Sequence, residues 1–151
     1  MAYQPRGFYL EDFEIGKTYE SIGRTVTEAD VVNFAGLSGD FNPLHMDEEF
    51  GKKTFFGKRI AHGALGFVIN TGLSNQMGLY EGTTIAFLEC SLKYVAPLCI
   101  GDTVHLCVTP TEIIHSSKPR RGILKQDTKL VNQDGKVILE SPQILMMQAR
   151  A

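Results

Sequence analysis

The run "SGDFNPLHMDEEF", Ser38 to Phe50, places a carboxylate, an Asn-Pro turn and an imidazole within six residues, Asp40 to His45. Near pH 7 an unperturbed aspartate is ionised and a histidine is mostly neutral. Pro43 fixes its own φ and pushes Asn42 out of the helical region, so the chain turns between the two. Such a turn can aim both side chains at one spot and hold one water between them. One group accepts a proton while the other shares or returns it, which suits adding or removing water at an activated double bond. The plainer reading is that Asp40 caps the turn and His45 is a loop residue, because polar Asx-Pro turns are common in loops.

A second stretch, "RIAHGALG", sets His62 and Gly63 where an apolar helix should begin. Amides at a helix start point outward and carry partial positive charge. They can hold a thioester carbonyl that becomes enolate-like as a proton leaves or joins the α-carbon. Gly63 adds no side chain to block the approach. Hydration of an α,β-unsaturated thioester needs such a donor beside an acid–base pair. His62 itself reads as a packing or loop-orienting residue. His45, Asp47, Glu48, Glu49 and His62 match no HExxH or comparable spacing, so no metal is expected. Asp47–Glu49 reads as a solvated acidic helix start, and His105 and His115, on or beside strands, read as structural.

These residues need a scaffold. Thr27 and Asp30 in "TEADVVNFAGLSGD" form a capping-box pair. Val31, Phe34 and Ala35 then predict a short amphipathic helix that ends near Gly39. Ala64 to Leu73 is apolar nearly all round, which predicts a helix with no solvated face. Gly63, Gly66 and Gly72 each cost about 1 kcal/mol there, so close approach of a sheet or ligand is the expected compensation. The loop "TGLSNQMGLYEGTT", with Leu79 and Tyr80, either covers an acyl end or simply connects.

From Thr83 the period becomes two. Ala86, Leu88, Cys90, Leu92 and Tyr94 share one predicted face, and Val104, Leu106 and Val108 another. Strands Ile123–Val131 and Lys136–Gln148 meet at Asp134-Gly135, a hairpin signal. Pro142 predicts an edge or a bulge in the second of these. The N-terminal "FYLEDFEIGKTYESIGRTV" predicts short extended pieces with turns. The sum is an α+β domain, a curved antiparallel sheet wrapped around one apolar helix.

The whole chain has 151 residues, 43% of them apolar and 21% charged, with net charge −2. That length fits one domain, 1–151. The small charge argues against a nucleic-acid partner. No segment approaches the ~20 apolar residues of a membrane span, and the N-terminus lacks a signal-peptide pattern. Cys90, Cys99 and Cys107 are odd in number without CxxC spacing, which predicts buried thiols in a cytoplasmic protein.

"GDFNPLH" followed by "IAHG" and one apolar helix closely resembles the MaoC-like, hydratase-2 branch of the hotdog superfamily. The N-terminal "EDFEIGKTYES" and "GRTVTEAD" extend the likeness over almost the whole chain. The resemblance implies a hotdog fold with the Gly63 helix at its centre. It implies Asp40 and His45 as the active pair, the Gly63 N–H as oxyanion donor, and Asn42 and His62 as accompanying substrate-site residues, Asn42 fixing the turn. The implied reaction is reversible hydration of a trans-2-enoyl-CoA to the (R)-3-hydroxyacyl-CoA. No metal or redox cofactor is implied, since coenzyme A enters with the substrate; acyl carrier protein is the alternative carrier. Lys118, Arg120 and Arg121 form a basic loop that either meets coenzyme A phosphates or is a solvated tip. Homodimers joined at sheet edges are also implied. The family's usual Ala or Ser six residues after the histidine is Gly51 here, which predicts a looser loop. Thioester hydrolysis and non-catalytic acyl-CoA binding are the competing functions.

Overall fold

The computed structural model describes residues 3–150. Its sheet is antiparallel throughout. The strands are β1 (Tyr19–Glu20), β2 (Arg24–Thr25), β3 (Thr84–Cys90), β4 (Lys93–Tyr94), β5 (Thr103–His115), β6 (Arg121–Asn132) and β7 (Val137–Gln148). The spatial order is β1-β5-β6-β7-β3, with β2 also on β5 and β4 also on β7. The N-terminal segment supplies a 3-10 turn, Leu10–Asp12, and the two short strands, as its broken pattern predicts.

Helix α1 spans Glu28–Ser38. Its start is the expected reciprocal cap: Asp30 N–H donates to Thr27 Oγ1 at 3.2 Å, and Thr27 N–H donates to Asp30 Oδ2 at 2.8 Å. It closes on Gly39, whose φ of 77° is in the left-handed region. Val31 and Ala35 are its buried residues, with Phe34 packed at the margin of the core. Two short helices follow, α2 (Pro43–Met46) and α3 (Glu48–Lys53).

Helix α4, Gly63–Gln76, packs on one face of the sheet. Leu65, Ile69 and Leu73 pack on Val104, Leu106, Val108, Leu130 and Leu139. Burying such a side chain stabilises the fold by about 2 kcal/mol. The helix is not covered all round, however. Ala64, Val68, Thr71 and Asn75 form an exposed stripe, because the sheet wraps only part of the helix. The glycines also divide. A Cβ at Gly63 would meet the Tyr94 ring at 2.8 Å, one at Gly66 would reach Leu98 in ordinary contact at 3.6 Å, and one at Gly72 would meet nothing within 4 Å. Close approach explains the first and leaves Gly72 without an account.

The β5 alternation is as expected, with Val104, Leu106 and Val108 all at 0% exposure. The β3–β4 stretch is not. Register shifts between Thr84 and Ala86 and between Phe87 and Glu89 break its period. Leu88, Leu92 and Tyr94 are exposed, and no single buried face forms. Pro142 gives a further correction. It lies in β7, an inner strand, in unbroken register with Asp127 of β6. The interruption falls on the other neighbour. Pairing stops after Cys90–Gln143 and resumes at Lys93–Glu140, so the proline's missing donor divides one edge strand into β3 and β4. The loop after α4 connects; Leu79 and Tyr80 are buried in a second apolar cluster with Leu10, Phe13, Leu124, Leu145 and Met147. The three thiols are half-buried and unpaired.

Candidate active site

Asn42 caps α2 by accepting from Leu44 N–H at 3.0 Å, and Pro43 opens its first turn. The turn therefore forms as the Asn-Pro pair dictates. Asp40 Oδ1 accepts from Asn42 N–H at 3.2 Å, so Asp40 does brace the turn, yet its side chain stays exposed. His45 is no loop residue: α2 carries it inward to 9% exposure.

The imidazole is fixed in orientation and in tautomer. His45 Nδ1 lies 2.7 Å from the Ile60 carbonyl. A carbonyl only accepts, so Nδ1 carries a hydrogen, and in the neutral ring Nε2 presents a lone pair. The same logic applies to His62, whose Nε2 donates to the Asp40 carbonyl at 2.8 Å. Its Nδ1 is buried without a hydrogen-bond partner among the described residues. The two rings stack at 3.9 Å between centroids, and Phe34 packs on His62 at 4.9 Å. His62 is therefore the brace that joins the Asp40 turn, the His45 ring and the start of α4.

One nitrogen of His45, one nitrogen of His62 and a carboxylate oxygen of Asp40 lie within 4.8 Å of one another. Asp40, not Asp47 or the glutamates, completes this triangle. The rings are only 31° from parallel, so their in-plane lone pairs converge poorly on a shared ion. Asp47 instead caps α3 by accepting from Phe50 N–H at 3.0 Å, the solvated acidic start that the sequence predicts.

A cavity of about 560 Å³ opens beside this cluster, lined by His45, Gly63, Ala64, Tyr94, Leu98, Leu139 and the aromatic pair Phe55 and Phe56. The N-cap of α4, His62, contributes no side-chain bond to the first-turn amides. The lining is mostly apolar, with the Gly63 backbone and the His45 ring among its polar edges. Asn42 is turned into its own helix start, and neither it nor Asp40 nor His62 lines the cavity; of the three clustered side chains only His45 does.

Sequence reasoning passed over Arg59. It donates to Glu28 Oε1 and Oε2 at 2.8 Å each, to Glu48 Oε2 at 2.9 Å and to the His45 carbonyl at 3.3 Å. The carboxylate bonds raise the guanidinium pKa, and the Arg59 bond holds the Glu28 carboxyl below its usual range. One side chain thus ties α1, α2 and α3 together. Its place just before "IAHG" was the available signal. Phe55, Phe56 and Tyr94 were also missed, since nothing local marks them as cavity walls. Gly51 reverses an expectation: a Cβ there would sit 2.6 Å from Arg59 N, so the glycine tightens α3 against the 58–59 backbone.

The sequence model described as "MaoC like domain" matches residues 12–132, and the chain belongs to that family. It is 38% identical over 144 residues to the (R)-specific enoyl-CoA hydratase of Rhodospirillum rubrum, covering 94% of this chain and 93% of the relative. It is 36% identical over 122 residues to the 3-hydroxybutyryl-CoA dehydratase of Methylorubrum extorquens, covering 80% and 75% of the two chains. Among solved structures, a double-hotdog protein of Mycobacterium tuberculosis superposes with a TM-score of 0.81 at 17% identity, covering 98% of this chain and 46% of that one. The fold is a hotdog.

Proposed function

We propose that the protein is a hydro-lyase that interconverts a trans-2-enoyl-CoA and the (R)-3-hydroxyacyl-CoA. The observation that carries this reading is the convergence of the Asp40 carboxylate and the His45 imidazole, within 4.8 Å, with His45 lining the cavity beside Gly63. An ionised Asp40 and a neutral His45 with a free Nε2 are both acceptors, and a water has two hydrogens to give. Held by both, the water keeps its lone pairs for the β-carbon. As its oxygen bonds to Cβ, one O–H proton passes to Asp40, and the double-bond electrons move through Cα onto the thioester oxygen. The Gly63 N–H and the dipole of α4 stabilise that enolate. Cα then takes a proton back from the acid–base pair, completing addition of H and OH. His45 orients the water, and Asn42 and His62 hold the turn that carries Asp40. The (R) configuration and the CoA carrier rest on the hydratase and dehydratase relatives. No metal or redox step is required.

A homodimer belongs to this reading. β3 is a free sheet edge carrying Ile85, Phe87 and Leu88, each nearly half exposed, beside the exposed stripe of α4. Such an edge pairs readily with a second copy. Three unpaired thiols suit a reducing, cytoplasmic setting; among the described residues no helix is long and apolar enough to cross a membrane. Loss of enoyl absorbance on incubation with crotonyl-CoA tests the activity. Release of free thiol without hydration would move the protein to the thioesterases.

A further inference from the structure

We propose that the loop Lys53–Lys58, at the mouth of the cavity, is the seat of the adenosine 3′-phosphate end of coenzyme A. The proposal rests on the acyl-CoA reading above and names the carrier that this site takes. Phe55 lines the same cavity as His45 and Gly63, yet is 98% exposed. A ring left almost wholly in water gains nothing from burial in the fold. Its one aromatic neighbour among the described residues is Phe56, which meets it edge-on at 5.7 Å and leaves a face open. An open aromatic face at the mouth of a thioester cavity is a platform for a purine ring.

The charges beside it point the same way. Of the cations from Lys52 to Arg59, Lys52 pairs with Glu49, and Arg59 with Glu28 and Glu48. Lys53 and Lys58 flank the phenylalanines and have no ion-pair partner among the described residues. In a chain of net charge −2, two uncompensated lysines within three residues of an open ring can supply the positive charge that an anion needs. The other basic cluster, Lys118 to Arg121, is misplaced for this task within one chain. Arg121 pairs with Gln148 at the far end of β7, whereas Leu139 lines the cavity. Roughly 30 Å of strand separates Leu139 from Gln148. An acyl carrier protein shares the pantetheine arm but ends in protein where coenzyme A ends in a nucleotide. A purine platform flanked by cations matches the nucleotide.

The experiment compares crotonyl-CoA with crotonyl-pantetheine, which carries the same acyl group and arm without the nucleotide. Coenzyme A binding by calorimetry runs in parallel. Phe55→Ala and the double variant Lys53→Glu/Lys58→Glu should each raise KM for crotonyl-CoA by about tenfold. They should weaken coenzyme A binding by a similar factor, and the KM ratio between the two substrates should collapse toward one. Arg121→Glu, at the far tip, should leave that ratio where it is. Equal changes with both substrates, no change with either, or a loss confined to an acyl-carrier-protein thioester would overturn the proposal. A ratio lost in Arg121→Glu instead would move the nucleotide to the hairpin tip and overturn it too. If the wild-type protein hydrates neither substrate yet binds coenzyme A through Phe55, the reaction assignment fails and the carrier assignment stands. Hydration of crotonyl-CoA with unaltered variants gives the reverse.

Discussion

Helix α4 meets two different environments along its length. At its first turn Gly63 and Ala64 line a cavity, the Tyr94 ring lies close over Gly63, and the nearby His62 Nδ1 has no hydrogen-bond partner among the described residues. Two turns later Asn70, at 0% exposure, enters a closed network of side chains. Asn70 Nδ2 donates to Thr128 Oγ1 at 3.0 Å, and Thr128 donates to the Ser141 carbonyl at 3.0 Å. Gln126 Nε2 donates to Gln143 Oε1 at 2.9 Å, while Tyr80 donates to Gln126 Oε1 at 2.8 Å. Ser141 Oγ is left without a partner there. This belt lies between the two apolar clusters of the core. Polar groups that bind each other hold a register; polar groups left open can bind something else. A buried polar residue is therefore a site candidate only when its hydrogen bonds are incomplete and it borders a cavity. His45 meets that condition; Asn70 borders a second, smaller cavity of about 140 Å³, but its amide bonds inward to Thr128 and Gln143.

The contrast can be broken at several points. Asp40→Asn and His45→Gln should each lower hydration of crotonyl-CoA by about 10²–10⁴-fold while the cooperative unfolding transition is retained. Near-wild-type rates in both variants would remove the site from the open end. Gly63→Ala pushes a methyl toward the half-exposed Tyr94 ring, which can swing aside, so the loss should appear in kcat and reach up to about 100-fold. Adding Tyr94→Ala should recover part of it, which steady-state kinetics will register.

At the closed end the readout changes. Asn70→Leu strands the groups that Asn70 now satisfies and should cost about 1–3 kcal/mol in urea unfolding, with kcat little changed. A comparable loss of kcat would mean that the belt reaches the site. Smaller effects come from titration. Burial pushes the Tyr80 phenol up to about 12, so its absorbance should titrate well above the free phenols. A raised folded-state pKa gives stability that is complete below the unfolded value near 10 and is lost as pH rises toward 12. Tyr80→Phe should flatten that alkaline loss. At acid pH the sign reverses. Glu28, lowered by its Arg59 bonds, contributes stability above its unfolded pKa that disappears as pH falls through the folded one. Arg59→Ala should shrink this acid-side slope, visible as a smaller change in Tm between pH 6 and acid conditions, with the size kept small by exposure of Glu28.

Much of this was legible in the chain because it depends on neighbours in sequence. The Thr27–Asp30 cap, the Gly39 stop, the Asn42-Pro43 turn and the β5 alternation each follow from a few adjacent residues and formed as expected. The Pro142 edge, the single face of Ala86 to Tyr94 and the fully covered α4 did not. Each of those depends on which strand lies alongside, and composition carries no such information. Arg59 and Tyr94 were invisible for the same reason: their roles come from partners 11 to 31 positions away, as Arg59 with Glu48 and Glu28, or the Tyr94 ring over Gly63.

Residue order alone determined the kinds of groups available and the local bends that present them: a carboxylate and an imidazole astride one turn, and a glycine at a helix start. Only the folded chain decided that Ile60 and Asp40 carbonyls would fix the two imidazole tautomers, and that the Tyr94 ring would close over Gly63. Tautomer and cavity depend on contacts between segments distant in sequence. Backbone preferences act over a few residues, whereas such contacts are set by the packing of the whole sheet on its helix.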